Sequence, residues 1–283
     1  MKTSGVLCLD SRGFHRMQYY EWGDPANPRV VVCVHGLTRN ARDFDFFAEA
    51  LAPDFRVVCP DVAGRGGSDW LEAKSDYGYA QYASDMATLI ARVTERDAQG
   101  IDWVGTSMGG LLGIILAARP RAPIRRLVVN DAGLLVPRAA LERIAQYVGG
   151  DPRFPSVDAL EAHLRRFSAP FGPLTDAQWR HLAVHGAVER AGGTWGFHYD
   201  PAIAAPFQGE LADIDLSAYW DAVSCPTLVL RGAESDVLPR ETAQDMTRRG
   251  PRAKLVEFAG VGHAPMLMDE EQIQAVREFL LAS

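Results

Sequence analysis

The sequence predicts an α/β fold: a mostly parallel sheet of eight strands, helices on both faces, and a helical insertion at one end. Three observations lead there. Short Val- and Ile-rich runs alternate with helix-length amphipathic stretches, the pattern of a parallel sheet covered on both faces. The alternation starts with two polar-alternating runs. It is interrupted once, between residues 137 and 212, and then resumes.

Residues 6–21 hold two runs with a strand's two-residue period, which suits an antiparallel edge. The buried strands follow at 30–34, 56–59, 101–104, 127–129, 227–230 and 254–258. Helical stretches lie at 41–51, 79–94, 108–119, 241–249 and 269–281. The last has a start signal, Asp269 at the N-cap with Gln272 three residues on. Within the interruption, residues 138–148, 157–167 and 176–189 read as helix. The Gly-, Pro- and aromatic-rich segment 192–209 shows no convincing buried strand. Residues 1–136 and 213–283 are therefore expected to form the core domain, with 137–212 inserted as a helical lid lacking a core of its own.

The 283 residues are 47% hydrophobic and 23% charged, ordinary globular values that exclude a disordered or collagenous chain. With 29 basic and 36 acidic residues the net charge is −7, which argues against a nucleic-acid partner. Cys8, Cys33, Cys59 and Cys225 form no CxxC pair and suit small buried residues kept reduced, with a disulfide between neighbouring strands as the alternative. No apolar run approaches the ~20 residues of a membrane span, and Met1 to Asp10 lacks a signal-peptide core. The expectation is a cytoplasmic protein without a membrane span. The oligomeric state stays open, a homodimer included.

The sharpest motif is Gly105-Thr106-Ser107-Met108-Gly109, between a strand and a helix. A serine on a tight strand-to-helix turn has its hydroxyl lifted clear of the sheet, and the flanking glycines relieve collisions in that turn. Such a hydroxyl needs a base. His263, in the loop Gly260–Pro265 between the last strand and the last helix, fits that role better than a histidine merely buried in a turn. The base in turn needs a carboxylate to fix its tautomer. Asp236, following the strand at 227–230, is favoured on placement. Asp131, following the strand at 127–129, and Glu234 are the alternatives. The turn His35-Gly36-Leu37 could place the Leu37 amide beside that of Met108 to hold an oxyanion, with His35 organising the turn.

Together His35-Gly36, Asp61-x-x-Gly64-x-Gly66-x-Ser68, Gly105-x-Ser107-Met108-Gly109-Gly110, Asp236 and Gly262-His263 resemble the α/β-hydrolase superfamily. The closest resemblance is to its small lid-bearing esterases, lactonases and carbon–carbon hydrolases of ring-cleavage products. The resemblance implies Ser107 as nucleophile, His263 as base, Asp236 as acid, Leu37 and Met108 as oxyanion donors, residues near 137–212 as a cap, and no cofactor or metal. Related dehalogenases and epoxide hydrolases carry an elbow aspartate where Ser107 stands. The epoxide hydrolases also have proline at the position of Thr38, and the lipase His-Gly-Gly-Gly loop is missing. The expected function is a serine hydrolase of linear esters or lactones. The alternative is a carbon–carbon hydrolase of dienoates.

Arg39 and Arg190 are candidates for a substrate carboxylate, and Trp195, Phe197 and His198 for the pocket wall, although each also suits surface or packing roles. Three features carry no function in this reading. Residues 61–68 are glycine-rich but lack a phosphate-loop pattern, and His181 and His185 have Leu182 where a zinc protease needs glutamate. The cluster Arg119, Arg121, Arg125 and Arg126 suits a solvated face at the far end of the sheet.

Overall fold

The computed structural model describes residues 1–94 and 100–282. Its central sheet has eight strands. In chain order these begin β1 (Lys2–Leu9), β2 (Phe14–Trp22), β3 (Val30–Val34), β4 (Arg56–Pro60), β5 (Ile101–Thr106) and β6 (Ile124–Asn130). A short β7 (Leu135–Val136) leads into the insertion and β10 (Ile214–Asp215) leads out, the two pairing antiparallel. The insertion carries the hairpin β8 (Ala187–Arg190) and β9 (Thr194–Phe197). The sheet is completed by β11 (Thr227–Gly232) and β12 (Lys254–Phe258), giving the order β1-β2-β4-β3-β5-β6-β11-β12. β1, β2 and β4 pair antiparallel, and every pairing from β4 to β12 is parallel.

The helices are α1 (Asp45–Leu51), α2 (Tyr79–Val93), α3 (Met108–Ala117), α4 (Arg138–Ala145), α5 (Val157–Phe167), α6 (Asp176–Gly186), α7 (Ser217–Ala222), α8 (Arg240–Met246) and α9 (Glu270–Leu281). Two cores flank the sheet, and the strand period sorts residues between them. Val30, Val32 and Val34 of β3 face one core with Met86 and Leu89 of α2 and Leu112 of α3. Val31 and Cys33 face the other, with Phe47 and Leu51 of α1 and Val276 and Phe279 of α9. Burial on both sides explains why β3 reads as an unbroken apolar run; each such side chain contributes roughly 1.5–3 kcal/mol. No helix among the described residues is long and apolar enough to cross a membrane. All four cysteines are free thiols.

Asp269 caps α9 by accepting from the Gln272 amide at 2.9 Å. Gln272 does not close the reciprocal box; its Oε1 accepts from the Leu267 amide instead. The insertion differs from the sequence reading in one respect. Residues 187–197 form a hairpin, turned by Gly192 and Gly193 at positive φ, so α6 stops at Gly186. The insertion's apolar residues Phe154, Leu160, Leu164, Trp179 and Leu182 pack in one cluster with Met266 and Met268 from the loop that follows His263.

Candidate active site

The site gathers at the C-terminal ends of the parallel strands, where loops hold functional groups on a rigid frame. Ser107 follows β5 and precedes α3 with φ 52° and ψ −115°, a left-handed conformation that is strained for a residue with a Cβ. The turn is tight enough that a Cβ on Gly105 would stand 2.1 Å from the Gly109 carbonyl, and one on Gly109 would stand 2.0 Å from the Val34 carbonyl. Both glycines are therefore required by contact. The Trp103 indole donates to that same Gly109 carbonyl at 3.0 Å, fixing the strand against the helix.

Ser107 Oγ lies 2.9 Å from Nε2 of His263, and Nδ1 of His263 lies 2.7 Å from Oδ2 of Asp131. His263 is held from two sides. The Gly262 amide donates to the Pro170 carbonyl of the insertion. On the other side the end of β11 comes so near that a Cβ on Gly232 would stand 2.1 Å from the Gly262 carbonyl.

The expectation that Asp236 accepts from His263 is not met. Asp236 is exposed and ion-paired with Arg143 of α4. β11 ends at Gly232, so four further residues carry Asp236 out to solvent. Asp131, the residue directly after β6, is fully buried beside the histidine. Three groups donate to its carboxylate: His263 Nδ1, the Gly232 amide at 2.9 Å and the Ser235 hydroxyl at 2.6 Å. Ser235, which the sequence reading did not select, accepts from the Val237 and Leu238 amides, so its own proton is left for Asp131. Glu234 extends from the same loop and makes no side-chain bond to the histidine among the described residues.

Beneath the serine, a Cβ on Gly36 would touch the Cβ of Ser107 at 3.7 Å, so the turn at Gly36 lies against the elbow. His35 organises this turn as expected: Nδ1–H donates to the Gly36 carbonyl at 2.7 Å and Nε2 accepts from the Val62 amide at 3.0 Å. Burial pulls its pKa down to about 3, so the ring is neutral in this fixed tautomer. The residues 61–68 form the facing turn. Asp61 accepts from the Ala41 and Gly67 amides, and burial raises its carboxyl to about 6.

The expected pocket residues separate. Arg39 gives Nε and Nη2 to both oxygens of Asp43. Arg190 donates to the Phe197 carbonyl and lies over the Trp70 ring. Phe197 packs edge-on to Phe154 and stacks on Tyr199, while Trp195 pairs its backbone with Phe154. His198, whose pKa is lowered by burial and then by Arg190, lines a cavity of about 200 Å³ with Tyr20, Asn40, Arg42, Asp61 and His185. His181 and His185 lie on the seam between insertion and core: His181 Nε2 meets the Arg42 carbonyl, and Asn40 donates to the carbonyl of His185.

A strained serine, an imidazole within its reach and a buried carboxylate behind the imidazole are the groups that nucleophilic acyl transfer uses. A model of the alpha/beta hydrolase family matches residues 31–277. The 3-hydroxybutyrate-oligomer hydrolase of Cupriavidus necator is 48% identical over 283 aligned residues, covering 97% of this chain and 96% of that protein. A pimeloyl-[acyl-carrier protein] methyl ester esterase of Photobacterium profundum is 27% identical, covering 92% of this chain and 97% of that one. Among solved structures, an alpha/beta hydrolase from Novosphingobium aromaticivorans superposes with a TM-score of 0.85 at 37% identity, with 98% of each chain covered.

Proposed function

Because the chain belongs to the alpha/beta hydrolase family, we propose that it is a serine hydrolase of carboxylic esters, acting on short oligomers of a hydroxy acid such as 3-hydroxybutyrate. One observation carries the reaction type: the unbroken line from Ser107 Oγ through both nitrogens of His263 to buried Asp131. The substrate class rests on the 48% identity to the Cupriavidus necator enzyme over nearly the full length of both chains.

In this reading His263 Nε2 takes the Ser107 proton as Oγ attacks the ester carbonyl. Asp131 keeps the Nδ1–H tautomer and stabilises the imidazolium that forms. The amides of Leu37 and Met108 receive the oxyanion, each worth roughly 2.7–4 kcal/mol of transition-state stabilisation. Met108 is the first residue of α3, where the helix dipole also favours negative charge. His263 then protonates the leaving hydroxyl of the next hydroxyacyl unit. Water, activated by the same histidine, releases the acid from Ser107. Residues 137–212 act as a cap over this centre. Carbon–carbon cleavage of dienoates would require an arginine for the substrate carboxylate. Arg39 is already paired with Asp43, and the ester reading is preferred for the 48% identity to a 3-hydroxybutyrate-oligomer hydrolase.

The test compares wild type with Ser107→Ala on 3-hydroxybutyrate dimer and trimer and on p-nitrophenyl esters from acetate to dodecanoate. Wild-type turnover is expected on the oligomers and the short esters. Its loss in the variant, together with loss of fluorophosphonate labelling, is the expected outcome. Undiminished hydrolysis by Ser107→Ala would refute the proposal.

A further inference from the structure

Among the described residues, Arg65 is a fully buried charged side chain that the site's chemistry leaves unexplained. It is 0% exposed. Its guanidinium pairs with no carboxylate among the described residues. Nε donates to the Leu37 carbonyl at 2.9 Å, Nη1 to the Ala63 carbonyl and the Tyr82 hydroxyl at 2.8 Å each, and Nη2 reaches Met108 Sδ at 3.6 Å. The Tyr82 ring centre lies 4.8 Å from its central carbon. A buried cation satisfied only by neutral dipoles is costly to keep, because its desolvation is never offset by an opposite charge. Two of its four partners are Leu37 and Met108, the residues whose amides serve the oxyanion in the reading above.

Resting on that reading, we propose that Arg65 is a positioning residue for the oxyanion pocket, whose missing counter-charge is the tetrahedral oxyanion itself. Its fork holds Leu37 by the carbonyl and Met108 by the thioether, fixing the two residues that flank the developing charge. Its own charge gains nothing from a neutral ester but is favourable once the oxyanion forms. Stabilisation confined to the transition state raises kcat and leaves ground-state binding alone. Full burial argues against a substrate-carboxylate role, which would need a surface that the substrate can touch.

The experiment compares wild type, Arg65→Met (similar length, uncharged) and Arg65→Lys (charge kept, fork lost), with folding checked by circular dichroism. Each is assayed for kcat and KM on p-nitrophenyl butyrate and on free-acid 3-hydroxybutyrate trimer. Each is also titrated with a trifluoromethyl ketone, which Ser107 converts to an anionic adduct, and with the matching methyl ketone. For Arg65→Met, kcat is expected to fall by roughly 10- to 100-fold on both substrates, somewhat below the loss of a direct oxyanion donor. KM should stay within about threefold, by the same transition-state argument. The trifluoromethyl ketone should weaken in step with kcat/KM while the methyl ketone does not, and Arg65→Lys should recover part of both. The proposal is overturned if folded Arg65→Met keeps wild-type kcat. It is equally overturned if only KM for the free-acid trimer rises, which would make Arg65 a carboxylate subsite. Should Arg65→Met not fold, Arg65→Gln, which retains an amide donor without charge, is read by the same ratios. Absence of ester turnover and of serine labelling in wild type would instead remove the underlying reading.

Discussion

Replacing Asp131 by asparagine tests it against Asp236, the carboxylate favoured from the sequence. The carboxylate receives three donors on two oxygens: Oδ2 takes His263 Nδ1–H and the Ser235 hydroxyl, and Oδ1 takes the Gly232 amide. An asparagine can be placed in two ways, and both fail. With its NH₂ toward His263, it donates to Nδ1, drives the ring proton to Nε2 and leaves the histidine unable to accept from Ser107. With its NH₂ toward Gly232, two buried donors face each other, at a cost of roughly 1–3 kcal/mol. Either way the negative charge beside the His263 ring is gone. The expected loss is ~10⁴-fold in kcat, about 5.4 kcal/mol, as for a triad trapped in the wrong tautomer. Asp236→Asn removes only an exposed pair with Arg143, of the kind worth about 0–1 kcal/mol, and should leave kcat within about twofold. Initial rates on p-nitrophenyl butyrate, per mole of protein shown to be folded by circular dichroism, give both numbers. A hundredfold loss in Asp236→Asn beside near-normal Asp131→Asn would refute the reasoning.

Two further outcomes follow from the frame around the site. His35 has its pKa depressed from 6.5 to about 3 by burial, so its stabilising contribution is complete above pH 6.5 and drains away as the pH falls toward 3. At about 1.4 kcal/mol per pH unit, the ceiling is about 5 kcal/mol. The fall of Tm between pH 6.5 and 4 should therefore be shallower in His35→Gln than in wild type, and an identical slope would count against it. Gly109→Ala would place a Cβ 2.0 Å from the Val34 carbonyl and should cost about 3 kcal/mol or more in urea unfolding. Gly78→Ala, at the N-cap of α2, meets nothing within 4 Å and should cost no more than about 1 kcal/mol; equal effects of the two would overturn the contact argument.

The sheet was legible because its central strands are buried on both faces. Val30 to Val34 must all be apolar, whichever core each residue faces, and a run of that kind is visible without knowing its neighbours. The elbow was legible for a related reason: contact at van der Waals range forces glycine at 105 and 109, and glycine leaves a mark in the letters. The hairpin at 187–197 was obscured because β8 and β9 are only partly buried and carry weak alternation, although Gly192-Gly193 was an available turn signal. Arg65 could not be singled out, since an arginine between glycines looks like any loop cation until its burial is known.

The acid illustrates a limit of a different kind. Asp131 and Asp236 both follow strands that end beside the site, and both keep the order serine, acid, histidine. What separates them is how far the chain travels after its last sheet hydrogen bond. Asp131 sits one residue beyond β6, and its amide is still held by the Leu230 carbonyl of β11, so its side chain cannot leave the site. Asp236 sits four residues beyond β11, after a turn in which the Ser235 amide donates back to the Gly232 carbonyl. That turn directs Ser235 inward and Asp236 outward, so the two loops contribute different parts of one device. The strand end at β6 supplies the carboxylate. The loop after β11 supplies the Gly232 amide and the Ser235 hydroxyl that hold the carboxylate in line with His263. Neighbouring residues in one loop can thus carry the supporting group and a surface charge. Only the register of β6 against β11 decides which becomes which.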